Sequence, residues 1–175
     1  MPPLSIPRPG DGEYAPFYAG YIAKLPGDDA LAPLAAQERE TAELLGGLSA
    51  EAAAFRYAPG KWSVKQVAAH LADAERVFAY RALRIARGDE TPLPGFDEKA
   101  YADAAGADAR PLAELAAELR AVRAATLALF RGLDPAALAR RGTANGVPVT
   151  VRAAAWIIAG HERHHLEILR TRYLQ

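Results

Sequence analysis

Four long segments with apolar residues at helical spacing dominate this 175-residue chain. Between them the sequence shows no strand-like alternation of apolar and polar residues, except for one short piece at residues 147–149. Because a helix with one apolar face must bury that face against other helices, the pattern predicts an all-α fold, an antiparallel four-helix bundle. We expect simple up-down order, although a long connection between the second and third helices permits another.

Start and stop signals place the predicted helices within residues 30–49, 64–86, 111–133 and 151–174. The clearest start is Ser63, because Gln66 stands three residues later at the spacing of a reciprocal capping box. Trp62 can pack on Val67 beside this cap, and we assign it to folding. The connection over residues 87–110 predicts a long ordered loop.

We divide the chain into two parts. Residues 1–27 are rich in proline, which excludes a long helix, and predict an extended segment that packs on the bundle through its aromatic side chains. Residues 28–175 predict a single bundle domain. Within it, residues 49–55 and the Asn145-Gly146 dipeptide predict turns.

Composition excludes several classes of function. Lys and Arg total 21 and Asp and Glu total 21, so the formal net charge is +0 and no basic surface for nucleic acid is expected. No apolar run is long enough to span a membrane and no secretory signal is visible, so we expect a cytoplasmic protein without a membrane partner. Bundles of this size often pair through an exposed helix face, so a homodimer is a further expectation.

The four histidines lie on only two predicted helices, His70 on the second and His161, His164 and His165 on the fourth. On a helical wheel, His161 and His165 fall within the apolar stripe about 40° apart, whereas His164 lies about 60° to the other side, toward the polar edge.

Spacing of four residues allows His161 and His165 to converge on one metal ion, and a His161–His164 pair three residues apart could also do so. His70 lies on the flank of its apolar face and can complete a three-histidine site. The alternative is that these are buried histidines held by hydrogen bonds. The chain has no cysteine, so a metal ion would need histidine or carboxylate ligands.

Other polar and aromatic residues are candidates for the same site. Four carboxylates near the histidines could accept hydrogen bonds from metal ligands or act as bases: Asp73, Glu75, Glu162 and Glu167. We expect most of them to face solvent, and Glu162, which points about 100° away from His161, to be structural or at the surface. Among these carboxylates, Asp73 is the candidate for a role in the site, because it lies one helical turn from His70. Arg81 falls almost on the His70 line and could bind an anionic substrate group, although pairing with a carboxylate is the favoured expectation. Aromatic candidates at the pocket border are Tyr80, Phe96 and Tyr101.

Two runs in the chain resemble the DinB-like superfamily, APGKWSVKQVAAHLADAERVF at residues 58–78 and GHERHHLEIL at residues 160–169. The resemblance extends from about Leu31 to Leu174. It implies a four-helix bundle with a mononuclear site of three histidines that commonly holds nickel, zinc or iron. Carried over to this sequence, the implied ligands are His70, His161 and His165.

Members of that superfamily include YfiT-type proteins, regarded as metal-dependent hydrolases, and bacillithiol S-transferases. The resemblance therefore implies one divalent metal ion and, as the favoured function, transfer of a low-molecular-weight thiol to an electrophile. Because the chain lacks cysteine, that thiol must be a substrate. The alternatives are metal-assisted hydrolysis and a non-catalytic bundle that acts through an interaction surface.

Overall fold

The computed structural model describes residues 5–174 and is mainly helical. Four long helices form a bundle: α2 (Leu31–Gly46), α4 (Val64–Ala86), α6 (Leu112–Arg131) and α8 (Val151–Ile168). Short helices lie between or before them: α1 (Ala19–Ile22), α3 (Ala50–Ala54), α5 (Glu98–Ala104) and α7 (Pro135–Ala139). Two strands, β1 (Arg141–Ala144) and β2 (Val147–Thr150), pair as an antiparallel hairpin. The predicted all-α four-helix bundle is thus confirmed.

Local capping explains where the helices that matter for the site begin. The Ser63 hydroxyl accepts a hydrogen bond from the Gln66 amide, and the Gln66 side chain accepts one from the Ser63 amide, so the predicted capping box is confirmed. Helix α4 accordingly spans the predicted residues. The Thr150 hydroxyl caps α8 by accepting from the Ala153 amide at 3.2 Å.

The expected up-down order is wrong. Helix α4 packs on α6 and α8, and α2 packs on the same two helices, so α2 lies diagonally across from α4. The apolar residues of each helix give its direction, because the starts of α4 and α6 share one hydrophobic cluster with the ends of α2 and α8. Neighbours α4 and α6 are therefore parallel, whereas α4 and α8 are antiparallel.

This arrangement explains the long connection between α4 and α6. Two parallel neighbours require the chain to return along the full length of the bundle, and α4 with its 23 residues is about 34 Å long. The returning segment is anchored at one end by Leu93, which bridges to Ala144, and at the other by Ala107. It is ordered as predicted and also contains α5.

The connection between α6 and α8 differs from the prediction. Strand β2 covers the short piece predicted at residues 147–149, but β1 has no apolar alternation that would identify it. It forms because Asn145 and Gly146 both adopt positive φ angles, 54° and 75°, as a tight hairpin turn requires. Residues 49–55, predicted as a turn, contain α3, which Ser49 caps.

The N-terminal segment packs on α8. Ile6 is completely buried, and the Trp156 indole donates hydrogen bonds to the Ile6 and Pro7 carbonyls. Helix α1 approaches α8 so closely that a Cβ atom on Gly160 would lie 2.3 Å from the Tyr21 carbonyl oxygen. Residues 1–4 of the predicted segment lie outside the described residues, and the division of the chain at residue 27 stays a prediction.

A polar layer crosses the middle of the bundle. Two clusters of buried apolar side chains fill its ends, and each long helix carries buried polar residues between them. These are Gln37, Thr41, His70, Glu75, Arg123, Thr126, His161 and Glu162. Over residues 5–174, no helix combines the length and apolar character needed to cross a membrane. The cytoplasmic location stays a prediction.

Candidate metal centre

Three histidines meet where the antiparallel helices α4 and α8 pack together. The Nε2 atom of His161 lies 3.0 Å from Nε2 of His70 and 3.2 Å from Nε2 of His165. One potential ligand atom of each residue lies within 4.8 Å of the other two. His70 and His161 are buried and His165 is partly buried.

These separations suit a common metal ion. At the usual metal–nitrogen distance of about 2.1 Å, two nitrogens bound at right angles lie about 3.0 Å apart, and two in a tetrahedral arrangement about 3.4 Å apart. The observed values of 3.0 and 3.2 Å fall in this range. The helical spacing supplies the geometry, because residues four apart stand one turn above each other on the same face of α8.

Hydrogen bonding alone leaves this cluster unsatisfied. A ring nitrogen carries either one proton or one lone pair, so Nε2 of His161 can satisfy one of its two neighbours but not both. A cation among the three atoms would accept all three lone pairs. The donor set therefore fits a divalent metal ion better than the alternative of hydrogen-bonded core histidines.

Burial keeps the three imidazoles in the state that binds metal. Desolvation lowers the pKa of His70 to about 4 and the pKa of His165 to about 3. It also lowers the pKa of His161 well below its ordinary value, with smaller contributions from the neighbouring histidines. All three rings are consequently neutral at pH 7, as metal ligands must be.

Aromatic side chains that the sequence did not assign to the site surround the histidines. The Trp62 ring lies 4.7 Å from the His70 ring, so this residue contacts a candidate ligand as well as the apolar core. Tyr21 packs edge-on against His161 at 5.4 Å and contacts His164 at 5.2 Å. His164 is outside the converging group, in agreement with its position on the helical wheel.

Two cavities border the cluster. The larger, called here the aromatic cavity, has a volume of about 510 Å³ and reaches His70 and His161. Its walls include the rings of Phe17, Tyr18, Tyr21, Phe78 and Phe96. The smaller, called here the second cavity, has a volume of about 290 Å³ and reaches His165, Trp62 and two lysines, Lys61 and Lys99. The N-terminal segment thus forms part of the site, and its signal in the sequence is the aromatic spacing in YAPFYAGY.

A buried ion network lies beside the histidines. Arg123 donates two hydrogen bonds to Glu75, at 2.8 and 2.7 Å, and one to Glu162. It donates a fourth to the Leu34 carbonyl at 2.8 Å, so this α6 residue contacts all three other long helices. The expectation that most carboxylates near the histidines face solvent is wrong for Glu75, because its partner comes from a distant part of the sequence. Glu162 is structural, which is one of the two roles expected for it.

The remaining carboxylate and tyrosine candidates do not line either cavity. Asp73 pairs with Arg76 at 3.4 Å, and burial raises its pKa. Glu167 pairs with Lys24. Tyr80 is half exposed and accepts a hydrogen bond from Arg84, and Tyr101 is similarly exposed. The structure does not bring these candidate side chains to the histidines.

Arg81 lines the aromatic cavity together with Phe96. The favoured expectation that it pairs with a carboxylate is wrong for the residues that the structure describes. Its guanidinium donates to the Pro94 carbonyl at 2.7 Å and interacts with the Tyr18 hydroxyl.

Comparison with known proteins agrees with this architecture. The family model of the DinB superfamily matches residues 34–169. The chain belongs to the DinB superfamily. No curated protein matches it in sequence.

A solved structure, YfiT from Bacillus subtilis, is similar to this DinB-superfamily chain with a TM-score of 0.67 and 21% sequence identity. The similarity covers 93% of this chain and 91% of that chain. YfiT is described as a probable metal-dependent hydrolase with an unusual four-helix bundle topology. At this level of identity the similarity establishes the fold.

Proposed function

We propose that this protein is a metal-dependent enzyme that transfers a small thiol to an electrophile, with one divalent ion held by His70, His161 and His165. The observation that carries the proposal is the convergence of three histidines at the wall of a cavity, where Nε2 of His161 lies 3.0 Å from Nε2 of His70 and 3.2 Å from Nε2 of His165. Nickel, zinc and iron all accept imidazole ligands. An ion bound there would lower the pKa of a thiol or a water molecule that binds to it.

The cavities support a reaction between two substrates. The aromatic cavity reaches His70 and His161, whereas the second cavity reaches His165, so the cluster is bordered by two separate spaces. One space can receive the thiol and the other the electrophile. The chain has no cysteine, so a thiol at this site must come from a substrate.

The protein itself would orient the reactants and exclude water. The aromatic rings around the larger cavity provide an apolar wall for an organic substrate. The ring of Tyr21 packs edge-on against His161, and the ring of Trp62 packs against His70 at a tilt. These contacts fix the orientation of both imidazoles, which is the task that residues around a metal ligand perform.

Metal-assisted hydrolysis is the second candidate. It is favoured by the similarity to YfiT, the solved structure described as a probable metal-dependent hydrolase. In that case a water molecule, in place of the thiol, would be the nucleophile.

Activity assays on metal-reconstituted protein test these functions. We expect the wild-type protein to accelerate the reaction of monochlorobimane with cysteine, cysteinylglycine or glutathione. His161→Ala should abolish this acceleration, whereas the control His164→Ala, on the same helix but outside the converging group, should retain it within about threefold. If the protein instead hydrolyses 4-nitrophenyl esters without requiring a thiol, metal-assisted hydrolysis would replace thiol transfer as the proposed function. If the protein is inactive in both assays, a non-catalytic bundle would be favoured.

A further inference from the structure

Arg81 is a buried cation in the wall of the aromatic cavity. Only 4% of its surface is exposed. It lies on the same face of α4 as His70, because His70, Phe78 and Arg81 all line this cavity. Arg81 lies eleven positions after His70 in the sequence, which places their Cα atoms about 16 Å apart along the helix axis.

The charge of Arg81 has no counter-charge in the part of the chain that the structure describes. Its guanidinium donates a hydrogen bond to the Pro94 carbonyl and interacts with the Tyr18 hydroxyl, and both are neutral groups. Its guanidinium carbon lies 5.2 Å from the centre of the Phe78 ring and 5.9 Å from that of Phe96. Five N–H donors are present in a guanidinium, which is more than these contacts use.

The other buried arginine of the bundle shows what is missing. Arg123 is buried to a similar extent, and two carboxylates neutralise it, Glu75 and Glu162. A buried ion without a partner is costly, so folded proteins pair such groups. Arg81 departs from this rule at a position where a ligand can reach it.

The acidic residues that border the same cavity do not fill this role. Asp97 caps α5 by accepting a hydrogen bond from the Ala100 amide at 3.0 Å, and its side chain is exposed. Glu98 is exposed as well. No carboxylate is among the electrostatic partners of Arg81 in the described residues.

We propose that Arg81 binds an anionic oxyacid group of the substrate, a carboxylate or a phosphate, at the end of the aromatic cavity away from the histidines. A guanidinium fork forms paired hydrogen bonds with such groups. That the reacting atom of this substrate lies at the three histidines rests on the proposed function. The substrate is then an elongated organic acid that spans on the order of 10 Å between its anionic group and its reacting atom.

Binding calorimetry with three probes tests this assignment on the full-length protein, with the Arg81 and Arg84 variants adjusted to the metal content of the wild type. The probes are 4-phenylbutyrate, its uncharged amide and phenyl phosphate, so the two anions show which oxyacid group Arg81 prefers. We expect the wild-type protein to bind at least one anion at least tenfold more tightly than the amide. Arg81→Met should remove this preference and leave the affinity for the amide within twofold. Arg81→Lys, which keeps the charge but loses the fork, should retain part of the preference.

Two control variants show whether the preference for the anion comes from Arg81 itself. Arg84→Met removes a partly buried cation one turn later on α4, which pairs with Asp89 outside the cavity, and should bind all probes like the wild type. His161→Ala should keep the preference for the anion, because the anchor does not depend on a metal ion. Because the His161→Ala measurement records binding and not catalysis, it tests the role of Arg81 even if the protein does not transfer thiols.

Stability separates a binding role from a structural one. Because Arg81→Met removes an uncompensated buried charge, the variant should unfold at the same temperature as the wild type or at a higher one. A preference for the anion that survives in Arg81→Met or disappears in His161→Ala would overturn the proposal. Equal affinity of the wild type for the anions and the amide, or no binding of any probe, would also overturn it.

Discussion

Arg123 offers the sharpest test of how the four long helices are held together beside the histidine cluster. It is 2% exposed, and its four hydrogen bonds join α6 to α4, α8 and α2. Arg123→Met keeps the length of the side chain and leaves Glu75 and Glu162 as buried carboxylates without a cation. Removing one partner of a buried ion pair typically costs about 3–5 kcal/mol. At about 2–4 °C per kcal/mol for a chain of this size, the unfolding temperature should fall by roughly 6–20 °C.

Urea unfolding followed by circular dichroism measures this loss. The matched control is Arg120→Met on the same helix, where the side chain is exposed, and it should change stability by less than about 0.5 kcal/mol. Replacing all three charged residues with apolar ones, as in Arg123→Met with Glu75→Leu and Glu162→Leu, should recover at least half of the loss, because no unpaired charge remains. A loss below about 1 kcal/mol in Arg123→Met would refute the reasoning, and so would a triple variant less stable than the single one.

Two further predictions concern the N-terminal segment. Gly160→Ala should destabilise the protein by about 1–3 kcal/mol, because the added Cβ would collide with the Tyr21 carbonyl. The control in the same urea titration is Gly20→Ala, where the added Cβ has no other atom within 4 Å. Equal stability of the two variants would contradict the close approach of α1 to α8. The pKa of Glu13 is lowered to about 2, mainly by its hydrogen bond to Arg152. The ionised carboxylate therefore stabilises the folded state at pH values above its ordinary pKa of 4.5, and this stabilisation is lost as the pH falls from 4.5 to 2. The effect is at most about 3 kcal/mol, and Glu13→Gln should flatten the pH dependence of stability in that interval; an unchanged profile would contradict it.

The sequence predicts those parts of the fold that depend on neighbouring residues. The capping box of Ser63 and Gln66 sets the start of α4 by local hydrogen bonds. The spacing of His161 and His165 on an apolar face places them together on α8. The same kind of argument allows His70 to join them, because it lies on the flank of an apolar face that must turn toward the bundle interior.

Other features depend on contacts between distant residues and are not visible in local patterns. Arg123 lies 48 residues from Glu75 and 39 from Glu162, and each of these residues alone resembles a solvent-facing charge. The diagonal order of the helices follows from how the long connection returns along the bundle. For Arg81 the sequence allows either an anionic substrate group or a carboxylate partner and favours the second, because only the folded chain shows that Pro94 and Tyr18 are its partners.

The metal content of the purified protein tests the central claim most directly. Elemental analysis of untagged protein prepared without chelators should find about one divalent ion per chain. His161→Ala should lose this ion, and His164→Ala, the neighbouring histidine outside the converging group, should keep it. A wild-type protein that neither contains a metal ion nor takes one up on reconstitution would contradict the account. Full metal content in His161→Ala would contradict it as well.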